Sequence, residues 1–204
     1  MAKIKICGLT QPRDIEYANE LKPDYIGFVF APSKRQVSRE TAAFLKDGLR
    51  REIQAVGVFV NEEIKNIAAL CRRNVIDIIQ LHGEEDAAYV KALGQAVPNP
   101  LIRAIRVQTQ ADLQNALTLD ADYILFDAYK KGVPGGTGEA FNWDLATGFP
   151  NPFFLAGGLN EENLEQAIRA CSPYCVDVSS GAETDGKKDR QKMQRLIEIA
   201  RRVN

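Results

Sequence analysis

The feature that most constrains this chain is a recurrence of pattern. Eight short apolar runs appear in turn, each closed by a glycine, proline or polar turn and then followed by helical spacing. They are KIKICG, DYIGFVF, QAVGVFV, IDIIQLHG, LIRAIRV, DYILFDA, FFLAGGL and CVDVSSG. Their starts lie roughly 21 to 31 residues apart, about the size of a minimal strand, loop and helix. This is the βα alternation of a parallel sheet. Asn61 before EEIKNIAALCRR and Asn160 before EENLEQAIRAC are the expected helix caps, and KKDRQKMQRLIEIARRV the expected final amphipathic helix.

Eight such units point to a closed, parallel, eight-stranded (β/α)8 TIM barrel more than to an open doubly wound sheet. An open sheet would more often announce itself with a glycine-rich turn after the first strand, and CGLTQ has a single glycine. At 204 residues and 45% hydrophobic content the chain suits one buried core, so residues 1–204 are expected to form a single catalytic domain. Basic and acidic residues number 26 and 27, leaving no broad footprint for nucleic acid or an anionic membrane. No apolar run approaches the roughly 18 residues of a membrane span, and a cytoplasmic location is expected. Cys7, Cys71, Cys171 and Cys175 lack paired metal spacing and have only His82 to join them, so no zinc site is expected. The Cys171–Cys175 pair reads as plain burial rather than as a redox motif.

In such a barrel, chemistry collects at the C-terminal ends of the strands. Read in order, those ends are Cys7, Phe30 running into APSKRQVS, Val60–Asn61, Gln80–Leu81–His82, Arg106–Val107, Asp127, Gly157–Gly158 and Ser179–Ser180–Gly181. Cys7 and Asp127 stand first because both exchange protons. Cys7 could also serve as a small buried hydrophobe and Asp127 as a loop cap, but together they look like a general base and a general acid on different strands. Strand alternation sets Lys5 one layer below Cys7 on the same side. The same count suggests an inward Lys5–Asp177 ion pair and a cation near the thiol. LAGGLNEEN puts two glycines ahead of a helix and DVSSGAE adds hydroxyls and a glycine, a pairing suited to phosphate after strands seven and eight. Arg35 in SKRQVS suits a planar carboxylate, or else is a solvated loop charge. The loop GVPGGTGEAFNW could close over a ligand, or simply connect.

These segments, in this order, resemble phosphoribosylanthranilate isomerase: KICGLT, GFVFAPSKRQVS, VGVFVNE, IIQLHGEE, FDA followed by GGTGEAFNW, LAGGLNEEN and VDVSSGAE. The resemblance implies an Amadori rearrangement in tryptophan biosynthesis that uses neither metal nor organic cofactor. It turns the aminoaldose N-(5-phosphoribosyl)anthranilate into the aminoketose 1-(2-carboxyphenylamino)-1-deoxyribulose 5-phosphate. It further implies Cys7 as the base at C2′, Asp127 as the acid at the ring oxygen and Arg35 at the anthranilate carboxylate. The phosphate then falls to Gly157, Gly158, Ser179, Ser180 and Gly181, with Asp177 at the sugar hydroxyls and Gln80 and His82 reaching the same mouth. The expected partner is this small molecule, with no nucleic acid and no membrane, and the chain is expected to act as a monomer or homodimer. FNW stands where the family pattern has FDW, and Asn142 can still cap a short helix. A metal-dependent sugar-phosphate epimerase would want several histidines. A paired-aspartate barrel would want an acid at Cys7, and a barrel that only senses a metabolite has no need of both Cys7 and Asp127.

Overall fold

The computed structural model describes residues 1–107, 109–127 and 143–203. Eight parallel strands close a barrel in chain order: β1 (Lys3–Cys7), β2 (Tyr25–Val29), β3 (Gln54–Phe59), β4 (Ile78–Leu81), β5 (Leu101–Arg106), β6 (Tyr123–Asp127), β7 (Phe153–Ala156) and β8 (Cys175–Val178). The ring closes where β8 pairs with β1, Lys5 opposite Asp177. Outside lie α1 (Pro12–Leu21), α2 (Arg39–Asp47), α3 (Ile64–Arg72), α4 (Ala87–Ala96), α5 (Gln110–Ala116), α6 (Leu164–Cys171) and α7 (Arg190–Arg202). The described part of the β6–β7 connection holds a 3-10 turn, Trp143–Ala146. The loop GVPGGTGEAFNW, apart from Trp143, lies outside the described residues, as does Asn142.

Two apolar layers account for the alternation along each strand. Ile4 and Ile6 of β1, Ile26 and Phe28 of β2, Phe126 of β6 and Val176 and Val178 of β8 belong to the layer shared with the helices. Tyr25, Val56, Ile78, Ile102, Ala104, Leu125, Phe154, Ala156 and Cys175 make a separate cluster, the barrel lumen. Residues of the lumen parity therefore climb from an aromatic floor toward the mouth, and on β1 they are Lys3, Lys5 and Cys7. At the floor the Lys3 ammonium lies over the Tyr25 and Tyr174 rings, and the two phenol oxygens are 3.1 Å apart.

Three boundaries differ from the sequence expectation. α3 starts after Glu63, while Asn61 takes a left-handed conformation (φ 51°) and accepts the Glu84 N–H at 2.9 Å, tying two loops together instead of capping. α6 starts after Asn163. Asn160 closes the preceding turn, its side chain accepting the N–H groups of Glu162 and Asn163. α7 starts only at Arg190, because ETDGKK folds as a hairpin, β9 (Glu183–Thr184) against β10 (Lys187–Lys188). Asp185 and Gly186 both have positive φ, as a two-residue Asp-Gly hairpin turn requires. Asp189 then caps α7 by accepting the N–H groups of Gln191 and Lys192.

Candidate active site

The lumen carries a polar layer under the mouth. Lys5, fully buried, donates to Asp177 Oδ2 at 2.7 Å and to Gln80 Oε1 at 2.8 Å. The ion pair expected from strand parity is thus formed, with Gln80 as an unforeseen third member. Because an ammonium can only donate, Gln80 must turn its carbonyl toward Lys5, which leaves its NH2 for His82 Nδ1 at 3.1 Å. That nitrogen must then accept, so the imidazole proton sits on Nε2 and is donated to Asp127 Oδ2 at 3.1 Å. One hydrogen-bonded chain, Asp177–Lys5–Gln80–His82–Asp127, therefore crosses the barrel from β8 to β6 and fixes the histidine tautomer.

Cys7 stands above Lys5 at the end of β1 and is buried. Its position is closely fitted: a methyl group on Gly27 of the neighbouring strand would lie 2.6 Å from Sγ, so only glycine leaves room for the thiol. Burial pushes the thiol above its ordinary value, and the Lys5 ammonium offsets this only in part. Burial alone would likewise push Lys5 down, but the Asp177 carboxylate and the Cys7 sulfur outweigh it and hold the ammonium above its ordinary value. Asp177 Oδ1, also buried, has no hydrogen-bond partner among the described residues. An acceptor left open beside the thiol is suited to a donor that arrives with a ligand.

Turns after the strands bring in the remaining groups. Gly8 (φ 84°) follows Cys7, and the Arg35 side chain lies against it, its Cδ 2.4 Å from where a Gly8 methyl would stand. Arg35 reaches that position because the loop after β2 folds back, Val37 N–H to the Val29 carbonyl and Arg35 N–H to Ser33 Oγ. Its Nε and Nη2 donate to the two oxygens of Glu183 at 2.6 and 2.7 Å. Gly157 and Gly158 have φ of 95° and 68°, and the space where a Gly158 side chain would stand is open. Gly181 touches the neighbouring loop so closely that a methyl there would be 2.1 Å from the Leu159 carbonyl oxygen. Ser179 Oγ donates to the Cys7 carbonyl at 3.2 Å, joining this turn to β1. Ser180 and Gly181 form a 3-10 turn with Ala182.

The predicted residues thus assemble at one end of the barrel: Cys7, Arg35, Gln80, His82, Asp127, Gly157, Gly158, Asp177, Ser179, Ser180 and Gly181 all lie at or next to the C-terminal strand ends. Sequence reasoning missed Glu183 and Lys188 on the hairpin. Lys188 Nζ donates to Glu183 Oε1 at 2.6 Å and to the Ser179 carbonyl at 3.1 Å. It also missed Glu85, which accepts the N–H groups of Asn61 and Gly83 at 2.8 and 3.1 Å and pairs with Arg103, holding the loop just beyond His82. The DG dipeptide was a readable signal for the hairpin. Nothing local marked Glu85.

Comparison with known proteins gives the same fold. The family model described as N-(5'phosphoribosyl)anthranilate (PRA) isomerase matches residues 4–199. The N-(5'-phosphoribosyl)anthranilate isomerase of Endomicrobium trichonymphae is 47% identical over 201 residues, covering 98% of this chain and 99% of that one. A phosphoribosyl anthranilate isomerase structure from Thermotoga maritima superposes with a TM-score of 0.89 at 36% identity, over 98% of this chain and 99% of that one. A second structure of the enzyme, in complex with reduced 1-(o-carboxyphenylamino)-1-deoxyribulose 5-phosphate, gives 0.86 at 34% identity, over 98% and 99%. With the match spanning both chains nearly end to end, this chain belongs to the phosphoribosylanthranilate isomerase family.

Proposed function

We propose that the barrel, residues 1–204, acts as one catalytic domain that rearranges N-(5-phosphoribosyl)anthranilate to 1-(2-carboxyphenylamino)-1-deoxyribulose 5-phosphate, with Asp127 as general acid and Cys7 as general base. The reaction belongs to the family, and a related enzyme is known in complex with the reduced product. The observation that carries the division of roles is the polar chain. Asp127 receives the His82 Nε2–H at one end, and Cys7 stands over the Lys5 ammonium at the other.

The chemistry follows from those two environments. Asp127 protonates the furanose oxygen, the C1′–O bond breaks and the anthranilate nitrogen becomes an iminium. That cation acidifies the C2′ proton, which the Cys7 thiolate removes to leave an enolamine. Ketonisation of the enolamine yields the product. C1′ is reduced as C2′ is oxidised within one molecule, so no external oxidant or reductant enters.

Arg35 grips the anthranilate carboxylate with the guanidinium edge that Glu183 leaves over. The phosphate sits against the backbone of Gly157 and Gly158 and the turn Ser179–Ser180–Gly181. Asp177 Oδ1 accepts a sugar hydroxyl, while Gln80 and His82 orient Asp127 and line the mouth.

The test is the loss of anthranilate-type fluorescence when chelator-treated protein meets freshly made substrate. Cys7→Ala and Asp127→Asn should each lower turnover by at least about 10²-fold while the reduced product still binds. Turnover within threefold of wild type in either variant would remove that residue from its role.

A further inference from the structure

The hairpin after β8 carries two charges that the rearrangement does not itself require. Glu183 and Lys188 side chains are only 7% and 1% exposed. Glu183 forks onto Arg35 Nε and Nη2, and the same carboxylate takes the Lys188 ammonium at 2.6 Å. The fork locks an arginine on a loop into one orientation across Gly8, which lowers the ordering cost of gripping a ligand. Taken alone, however, it would also cancel the arginine's charge. A neutral pair has little net attraction for an anion.

Lys188 alters that balance. Two cations share one anion, so the trio has a net charge of +1, and Lys188 is too buried to present it. Arg35 is 31% exposed, and its Nη1 is outside the fork. The surplus charge is thus offered at the free guanidinium edge. Burial pushes the Lys188 ammonium down, with Glu183 opposing. Burial also resists ionisation of Glu183, but Arg35 and Lys188 outweigh it and hold the carboxyl below its ordinary value.

We infer that Lys188 is a positioning residue for carboxylate recognition: by neutralising Glu183 inside the hairpin, it leaves a rigidly held Arg35 with one uncompensated positive charge for the ligand. The inference rests on the reading of Arg35 as the carboxylate grip.

In Lys188→Met, KM for N-(5-phosphoribosyl)anthranilate should rise about tenfold with kcat within about threefold, while inhibition by inorganic phosphate stays within about twofold. A purely structural role would move the phosphate constant too, since Lys188 also holds the Ser179 carbonyl. In Glu183→Gln/Lys188→Met the arginine is uncompensated again, and KM should return to within about threefold of wild type. Arg35→Met is run in parallel. An unchanged KM there removes the Arg35 reading and this inference with it. If Arg35→Met raises KM, three results overturn the inference alone: an unchanged KM in Lys188→Met, a phosphate constant that rises in step, or a double variant no better than the single. Should Lys188→Met fail to fold, Glu183→Gln with Lys188 intact reads the same balance. It should bind the reduced product more tightly relative to inorganic phosphate, and no change or a weakening overturns the inference.

Discussion

Lys5→Met separates the structural from the chemical work of the buried ammonium. In the fold it has no exposure and gives hydrogen bonds to Asp177 and Gln80, so the methionine leaves a carboxylate without its cation inside the lumen. Removing one partner of a buried pair costs about 3–5 kcal/mol. For a domain of this size that is a fall in Tm of roughly 6 to 20 °C. The native ammonium is held above its ordinary value, so its stabilisation is fully present below an unfolded pKa of about 10.4 and is lost as pH rises through the higher folded value. The Tm gap between wild type and variant should therefore be constant from pH 7 to 9 and narrow only beyond about pH 10. On the chemical side Lys5 opposes the burial that raises the Cys7 thiol, so its loss raises the thiol further. Each added unit costs about tenfold in thiolate at neutral pH. Turnover at pH 7.5 should fall about 10- to 100-fold, and the deficit should stay level with pH until pH passes the raised value of the wild-type thiol itself. Thermal melts and pH–rate profiles of the two proteins measure both effects. Variant turnover within threefold of wild type at pH 7.5 would refute the action of Lys5 on the thiol, and a Tm loss under 2 °C would refute the cost of the unpaired carboxylate.

Two glycines give further tests of the site's geometry. Gly27→Ala drives a methyl group to 2.6 Å from Cys7 Sγ, so the thiol must move. This should cost about 1–3 kcal/mol in denaturant titration and at least about tenfold in kcat, with little change in KM. Wild-type kcat would show that the thiol need not be held where it is. Gly181→Ala meets the Leu159 carbonyl oxygen at 2.1 Å and must spread the turns after β7 and β8. Inhibition by inorganic phosphate should weaken about tenfold or more; an unchanged inhibition constant would remove those turns from phosphate binding.

The strands and their order were legible because their signal is local: an apolar run, a turn and a helical stretch, repeated. Strand parity went further and supplied the Lys5–Asp177 contact, because β8 must close against β1 and alternation decides which side chains share the lumen. The electrostatic consequence was only half legible. A cation beside Cys7 follows from parity, but that burial outweighs it depends on how tightly Gly27 and the lumen enclose the sulfur. The helix caps assigned to Asn61 and Asn160 failed because their side chains bond to loop N–H groups instead, and N-terminal signals alone cannot distinguish an asparagine cap from an asparagine turn. Glu183 is 148 residues from Arg35, and Glu85 finds its partner in Arg103 on the next strand. Such pairings are set by the angle at which loops leave a closed barrel, which no periodicity in the sequence records.

The lumen also encloses its polar layer between an aromatic floor and the open mouth. At the floor, Tyr25, Tyr123, Phe154 and Tyr174 contact one another, with centroids 5.3 to 5.8 Å apart, and the Lys3 ammonium lies over two of the rings. The Lys5 side chain has no exposure and that of Asp177 is 7% exposed, so solvent reaches the pair only at its carboxylate. A ligand that fills the mouth removes that last access, and removing water strengthens every charge interaction in the layer. The chain from Asp177 to Asp127 contains one ammonium between its two carboxylates, with an amide and an imidazole carrying the connection onward. Gln80 has a specific consequence here. Because its NH2 faces His82 Nδ1, that nitrogen accepts, and Nε2 carries the proton that Asp127 receives as a hydrogen bond. Gln80 thus sets which imidazole nitrogen faces β6, while Lys5, two residues below the thiol, opposes the burial that raises it at β1.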